Sequence, residues 1–374
     1  MASSKIQHPR IEGDFILLYG VELEVLLKPR QPQNLDSWVK IAKVVSQNLA
    51  QKNIDNYIFE EGDKDFKKWI IDHDGTIKKD PSANQWGLEL VSRICQPTTW
   101  WSRTLNVVWE SLTEDFEIID SNSCGTHVHV SLLREEGWKG RFDRLKRIAK
   151  AVVYFERCID SLMPVHRVQK NVYCRSNRHN SALGSKKMPA VLKMIDDIQE
   201  GPSGPKQLVD LLNPEGNTAR RYCKWNFTPL LKANEKIRTI EFRQPPGSTT
   251  VADATFWCQF ATYFVYGAEH ISFLGDKEPV NKSLVLDPAK TAGLEQLQEM
   301  LLNGQKLGGG WGYDPASLKK VFQGKTLLPE ATYVEPTPSS EDQARMNAKE
   351  GLENAKIERI DPLADLQFSD DLFS

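Results

Sequence analysis

The sequence predicts an α+β fold, a curved antiparallel sheet with helices packed on one face, from three observations. First, residues 20–24 (GVELE), 87–92 (GLELVS), 125–131 (GTHVHVS) and 239–243 (TIEFR) alternate apolar and polar side chains. That period of two belongs to a strand with one buried face. Second, the stretches between them carry apolar residues at helical spacing. Third, the first half of the chain reads strand, helix, strand, strand, helix, strand, helix, an order that stacks helices against a mostly antiparallel sheet.

Residues 14–28 (DFILLYGVELEVLLK) read as one long strand that begins to alternate at its glutamates. Asn34 suits a helix N-cap, and Leu35, Trp38, Val39, Ala42, Val45 and Leu49 carry the helix to about Lys52. Residues 66–72 are strand-like and end at DHDGT, a turn signal that leads to the Glu89 strand. Residues 100–112 form a second amphipathic helix with Trp101, Leu105, Val108 and Leu112 on its stripe, which feeds the histidine strand. A third runs from Gly140 to about Leu162, with Phe142, Leu145, Ile148, Ala149, Val152, Val153, Phe155 and Ile159 inward. Residues 164–190 are polar and rich in Arg and Asn, and 201–205 read as a loop. Residues 222–231 and 237–244 form a hairpin with Ala233 to Glu235 near its tip, and an apolar helix over 252–273 closes the core. Residues 1–335 are thus expected as a single domain. From Pro336 to the end Ser, Glu, Asp and Asn dominate, which predicts a mobile tail, with residues 357–368 able to dock.

The alternation also sorts the chemistry. Glu22 and Glu24 share a face opposite Val21, Leu23 and Val25, and Glu89 projects opposite Leu88 and Leu90. His127, His129 and Ser131 project opposite Val128, Val130 and Leu132; Glu241 and Arg243 project opposite Ile240 and Phe242. Any one segment alone reads as a solvated strand face, and Glu241 with Arg243 alone as an ion pair. Together, four carboxylates converging with imidazoles suggest a divalent cation, because buried carboxylates need a partner. An oxygen-rich donor set favours Mg²⁺ or Mn²⁺ over Zn²⁺.

Composition narrows the class. The chain has 374 residues, 40% hydrophobic and 26% charged, enough for a sizeable core. With 48 basic and 50 acidic residues it offers no electrostatic case for nucleic acid or an anionic membrane. No stretch reaches the roughly 18 apolar residues of a membrane helix, and the start lacks an apolar leader; a cytoplasmic location is the expectation. Six cysteines without C-x-x-C spacing read as reduced core thiols.

GTHVHVS and TIEFRQP resemble the nucleotide-binding strand and the late E-x-R strand of glutamine synthetases. With GVELE and GLELVS in that order, over roughly residues 15 to 275, the chain is similar to the amidoligase family, a branch of the carboxylate-amine ligases. The resemblance implies a glutamine synthetase-like fold in which Glu22, Glu24, Glu89, His127 and Glu241 hold two or three Mg²⁺ or Mn²⁺ ions. It implies further that His129 and Ser131 contact ATP and that Arg243 reaches a phosphate, making Glu241 and Arg243 catalytic. An arginine from the stretch before the E-x-R strand would bind the acid substrate or the transferring phosphoryl group. Candidates are Arg175, Arg178, Arg220 and Arg221, with Arg175 favoured because NVYCR is similar to the NSYKR run of glutamine synthetases. The expected reaction joins a small carboxylate to an amine through an acyl phosphate. The chain lacks the N-terminal grasp segment and the loop that guards the ammonia site, so an amino acid or peptide is as good a candidate amine as ammonia. Asp72, Asp74 and Glu60 lie in loops where a base could act, with nothing to single one out. A homo-oligomer is compatible with the resemblance. Two rivals stand beside it: a metal-dependent hydrolase built on His127 and His129, and a non-catalytic nucleotide-binding protein of the same fold.

Overall fold

A computed structural model describes residues 16–31, 35–60, 64–96, 99–132, 138, 141–231, 238–276, 284–308, 315–330 and 333–357. The longest strand, β1 (Leu17–Pro29), is followed by α1 (Trp38–Gln51), β2 (Asn56–Ile58), β3 (Trp69–Asp72), β4 (Trp86–Val91), α2 (Thr99–Asp115), β5 (Phe116–Ile119) and β6 (Thr126–Leu132). Then come α3 (Phe142–Asp160), α4 (Met188–Asp196), α5 (Gly204–Leu212), β7 (Trp225–Asn226), β8 (Ile240–Phe242) and α6 (Val251–Ala268). The chain continues through β9 (Ile271–Phe273), β10 (Leu284–Leu286), α7 (Leu294–Leu307), α8 (Pro315–Phe322) and α9 (Ser340–Ile357). The fold is α+β. Its main sheet runs β2-β3-β4-β1-β6-β8-β7, with β5 also paired to β1, and is antiparallel except for the parallel pair β2 and β3.

The period-two segments become strands because their apolar halves have a core to enter. Val21, Leu23, Val25, Leu88, Leu90, Val128, Val130, Ile240 and Phe242 are all buried in one cluster with residues of α1, α2, α3 and α6. Aromatic contacts fix the last strands on α6: Trp225 stacks on Phe242 at 4.4 Å, Phe242 on Phe260 at 5.5 Å, and Trp225 meets Phe264 at 4.9 Å. Glu241, between the core residues Ile240 and Phe242, must face the other way. Helices α6 and α7 touch through glycines: a Cβ on Gly304 would clash with the Tyr263 carbonyl, and one on Gly267 with the Met300 carbonyl. All six cysteines are buried with free thiols, and among the described residues no helix is long and apolar enough to cross a membrane.

Several elements depart from the sequence expectation. Helix α1 is capped by Ser37, whose hydroxyl accepts from the Lys40 amide, and Asn34 lies outside the described residues. Its buried face carries Ile41 while Val39 is 37% exposed, so the stripe is rotated from the expected one. The expected helix over 252–273 stops at Ala268, and its last residues form β9, paired in parallel with β10. Gly204 and Pro205, read as loop, open α5. The polar stretch after Pro336 contains the helix α9, with Met346 buried against Val172 and Tyr222; the tip at Ala233 to Glu235 and residues 358–368 lie outside the described residues.

The end of α6 generates a pH prediction. Glu269 is buried at the helix C-cap, where a negative charge meets the helix dipole unfavourably. One of its oxygens lacks a hydrogen-bond partner among the described residues, and Arg144 and Arg147 stand at 3.6 and 3.8 Å from the other. Burial pushes its carboxyl from 4.5 up to about 7, against the pull of those guanidiniums. A carboxyl raised in the folded state contributes stability that is fully present below the unfolded value and is lost as pH rises through the folded one. In Glu269→Gln, denaturant unfolding should therefore lose less stability between pH 4.5 and about 7 than the native chain does. The difference is up to about 3 kcal/mol at 1.36 kcal/mol per unit; equal slopes would refute the assignment.

Candidate functional site

Strand register assembles the polar face. Glu22 of β1 lies opposite His127 of β6, Glu24 opposite Glu89 of β4, and His129 opposite Glu241 of β8. The result is two groups of three, Glu22 with His129 and Glu241, and Glu24 with Asp74 and Glu89, each offering donor atoms within 4.8 Å of one another. His127 stands between them: its Nδ1 is 3.4 Å from Glu22 and 3.8 Å from Glu241, and its Nε2 is 3.8 Å from Glu24. Close approach is needed to fit it. The Gly125 amide donates to Glu24 Oε2 at 2.6 Å, and a Cβ at position 125 would lie 2.7 Å from the His127 ring.

Electrostatics divide the two groups. Around Glu22, burial raises the carboxyl but the imidazoles of His129 and His127 outweigh it and hold it well below the usual range. Glu241 behaves alike: burial raises it, Arg243 and His129 pull it down to about 2. Burial and the neighbouring Arg243 hold His127 down to about 4, so its imidazole is neutral. Burial disfavours the charged form of His129 as well, yet Glu22 and Glu241 raise it above its ordinary value. In the second group, burial drives Glu24 up to about 8, with Asp74 adding to the effect. Burial also drives Glu89 up to about 7, against Lys349. Asp74 alone is held low, where Lys349 and the Thr76 amide and hydroxyl overcome its burial.

These residues fit divalent cations. The first group supplies carboxylate oxygens plus a ring nitrogen and the second carboxylate oxygens alone, the donor set of Mg²⁺ or Mn²⁺ rather than of a thiolate zinc site. Two carboxyls of the second group cannot ionise cheaply at neutral pH with the cations at hand, and Glu89 Oε1 is buried without a hydrogen-bond partner among the described residues. A divalent cation would correct both.

The other expected residues scatter. Arg243 is in the site: it pairs with Glu241, lies over the Tyr222 ring at 5.5 Å, and keeps an Nε donor without a partner among the described residues. Ser131 is buried and its hydroxyl donates to the Arg238 carbonyl. The four intermediate arginines find other partners. Arg175 binds Glu335 at 2.8 Å and the carbonyls of Thr218 and Ala219; Arg178 donates to the carbonyls of Leu183 and Lys186. Arg220 pairs with Asp210 and Asn213, and Arg221 with its neighbour Tyr222. Of the loop acids, Asp74 joins the site, Asp72 pairs with Lys64 at 2.9 Å, and Glu60 is exposed.

Sequence reasoning missed three contributors. Asn226 donates to Glu241 Oε2 at 2.7 Å and orients it. Arg167 is buried and donates to the carbonyls of Arg243 and Gln244, bracing the strand end. Lys349 of α9 pairs with Asp74 and lies 3.8 Å from Glu89. Only Asn226 had a sequence signal, as the position opposite Glu241 in the expected hairpin.

A mixed, mostly antiparallel sheet gathers glutamates, histidines and an arginine on its polar face, a donor set for divalent cations beside a guanidinium. Residues 16–265 match the model of the family described as "Putative amidoligase enzyme", and the chain belongs to that family, which points to a ligase. No curated protein matches it.

The Glu241–Arg243 pair has a measurable consequence. Both side chains are buried, so Arg243→Ala leaves a carboxylate with its main counter-charge gone. Breaking a buried pair costs about 3–5 kcal/mol, and urea unfolding of the variant should show that loss, with Arg243→Lys recovering part of it. A change below about 1 kcal/mol would mean that the pair is solvated.

Proposed function

We propose that the chain is an ATP-dependent carboxylate-amine ligase with a glutamine synthetase-like fold, forming an amide or isopeptide bond through an acyl phosphate. The carrying observation is the buried Arg243, seated among two acidic groups and a neutral imidazole. An anionic nucleotide has no reason to enter a face of carboxylates alone. Glu22, Glu241 and the His127 and His129 rings would hold one cation, and Glu24, Asp74 and Glu89 another. Bound there, Mg²⁺ or Mn²⁺ would neutralise the phosphoryl oxygens and orient the triphosphate.

The substrate carboxylate attacks the γ-phosphorus in line; a new O–P bond forms, the bridging P–O bond breaks and ADP leaves. Arg243 would face the equatorial oxygens, since Asn226 fixes its partner Glu241 while its Nε keeps no hydrogen-bond partner among the described residues. Arg175, Arg178, Arg220 and Arg221 hold partners away from the carboxylate groups, which supports Arg243 as the arginine for this role. The amine then attacks the acyl carbon, the C–O bond to phosphate breaks, and one amine proton is lost. Apolar packing beneath the site, including Val128 and Phe242, keeps water from below the reacting groups, which an acyl phosphate requires.

The test is thermal unfolding with Mg²⁺, with ATP, with both, and with Zn²⁺, on the native chain and Glu22→Gln. Ligand at about 100 times its Kd adds roughly 2.7 kcal/mol, several degrees of midpoint. A rise that needs Mg²⁺ and ATP together and disappears in the variant supports the reading, and Glu241→Gln should then abolish ADP release with acid and amine pairs. A rise with Zn²⁺ and none with nucleotide would replace it with a hydrolase on His127 and His129.

A further inference from the structure

The Glu24, Asp74 and Glu89 group is closed by a side chain from the far end of the chain. Lys349 lies on α9, and its ammonium pairs with Asp74 and stands 3.8 Å from Glu89. Asp74 has no exposed side-chain surface, Glu24 and Glu89 are each 5% exposed, and Lys349 retains 18%. The three carboxylates that would hold a cation already surround one. It is a poor substitute. A lysine carries one positive charge on three donors, and it leaves Glu89 Oε1 without a hydrogen bond, where a divalent cation could bind every carboxylate at once.

The attachment of α9 looks built to come and go. On its approach, Glu335 is clasped by the buried Arg175, the Tyr333 hydroxyl accepts from the Ser176 amide, and the Tyr333 ring stacks on His179 at 5.8 Å. Beyond that clasp the helix rests on Met346 in its small cluster with Val172 and Tyr222, on one bond between Tyr173 and Asp342 at 3.3 Å, and on Lys349. Among the described side chains of α9 this is one apolar anchor on a polar helix, a weak hold once the ammonium is displaced, while the clasp keeps the helix close by. Its local concentration therefore stays high after release.

We propose that α9 is a tethered plug, with Lys349 occupying the cation position formed by Glu24, Asp74 and Glu89, so that docking of the helix and binding of a divalent cation at that group exclude each other. This rests on the ligase reading above for its cation. Activation would be the exchange of one cation for another: the Lys349 ammonium leaves, α9 swings from its clasp, and the second cation position opens. Because the competitor belongs to the chain, its occupancy is independent of protein concentration. A plug closed nine-tenths of the time weakens apparent cation affinity about tenfold.

Mn²⁺ binding by electron paramagnetic resonance, on full chains without nucleotide, decides the matter. The chains are the native one, Lys349→Met, Met346→Glu and Glu24→Gln. Met346→Glu loosens the helix and leaves every carboxylate and Lys349 untouched, which covers the case in which Lys349→Met folds poorly. The expected result is about tenfold tighter binding of one Mn²⁺ in both plug variants, absent from Glu24→Gln, together with Mn²⁺-accelerated tryptic cleavage after Lys349 in the native chain. Mn²⁺ binding that is lost in Glu24→Gln but equal in the native chain and both plug variants overturns the plug and leaves the ligase reading standing. No Mn²⁺ binding in any chain overturns both.

Discussion

Everything on the polar face depends on the register of β1 between β4 and β6. With Glu22 opposite His127 and Glu24 opposite Glu89, all reactive groups point one way and Val21, Leu23 and Val25 point into the core. A slip of one residue would exchange the faces. Two glutamates would then enter an apolar core, each costing several kcal/mol as an unpaired polar group, and three apolar side chains would lose about 1.5–3 kcal/mol apiece in burial. That penalty far exceeds the repulsion among the carboxylates in the observed register. The site is therefore tolerated because the other side of the same strands is so strongly determined.

Charge repulsion is distributed unevenly across that face. The group around Glu22 and Glu241 meets Arg243, a permanently charged guanidinium raised further by Glu241, and two imidazoles, so its carboxyls stay ionised. The group around Glu24 depends on Lys349 and, more distantly, Lys64, which is 3.9 Å from Glu89 and closer to Asp72. The Lys349 ammonium and Thr76 together hold Asp74 low and leave two carboxyls raised. Neutralisation is thus internal to the sheet on one side and borrowed from a distant helix on the other.

Legibility followed range. The strands with Glu24, Glu89, His127 and Glu241 were readable because their sequences alternate apolar and polar side chains, although the polar face is nearly as buried as the apolar one. β2 and β5, NYI and FEII, show no sustained alternation and exist through pairing with β3 and β1. The arginines are a different case. Arg175 and Arg178 sit in a polar run that suggests a binding loop, but their partners are mostly backbone carbonyls, which have no sequence signature. Asp74 was visible as a turn residue and became a site residue only through Glu24 and Glu89. Lys349 was beyond reach: its partner lies 275 residues away, and nothing in a polar helix marks one lysine among several.

The family match clarifies why the two halves of the face differ. It ends at residue 265, and Glu22, Glu24, Asp74, Glu89, His127, His129, Glu241 and Arg243 all fall inside it. Glu335, Met346 and Lys349 fall outside. The sheet and its donors form one cooperative unit, whose register cannot change without exposing the core. Among the described side chains the C-terminal helix touches that unit through one apolar residue and a few polar bonds, so it can detach while the sheet keeps its register. Contacts absent from the main core open at the lowest free energy. A competitor for a cation position is best carried on such an element, because displacing it costs only the helix's own contacts and none of the packing that positions the glutamates.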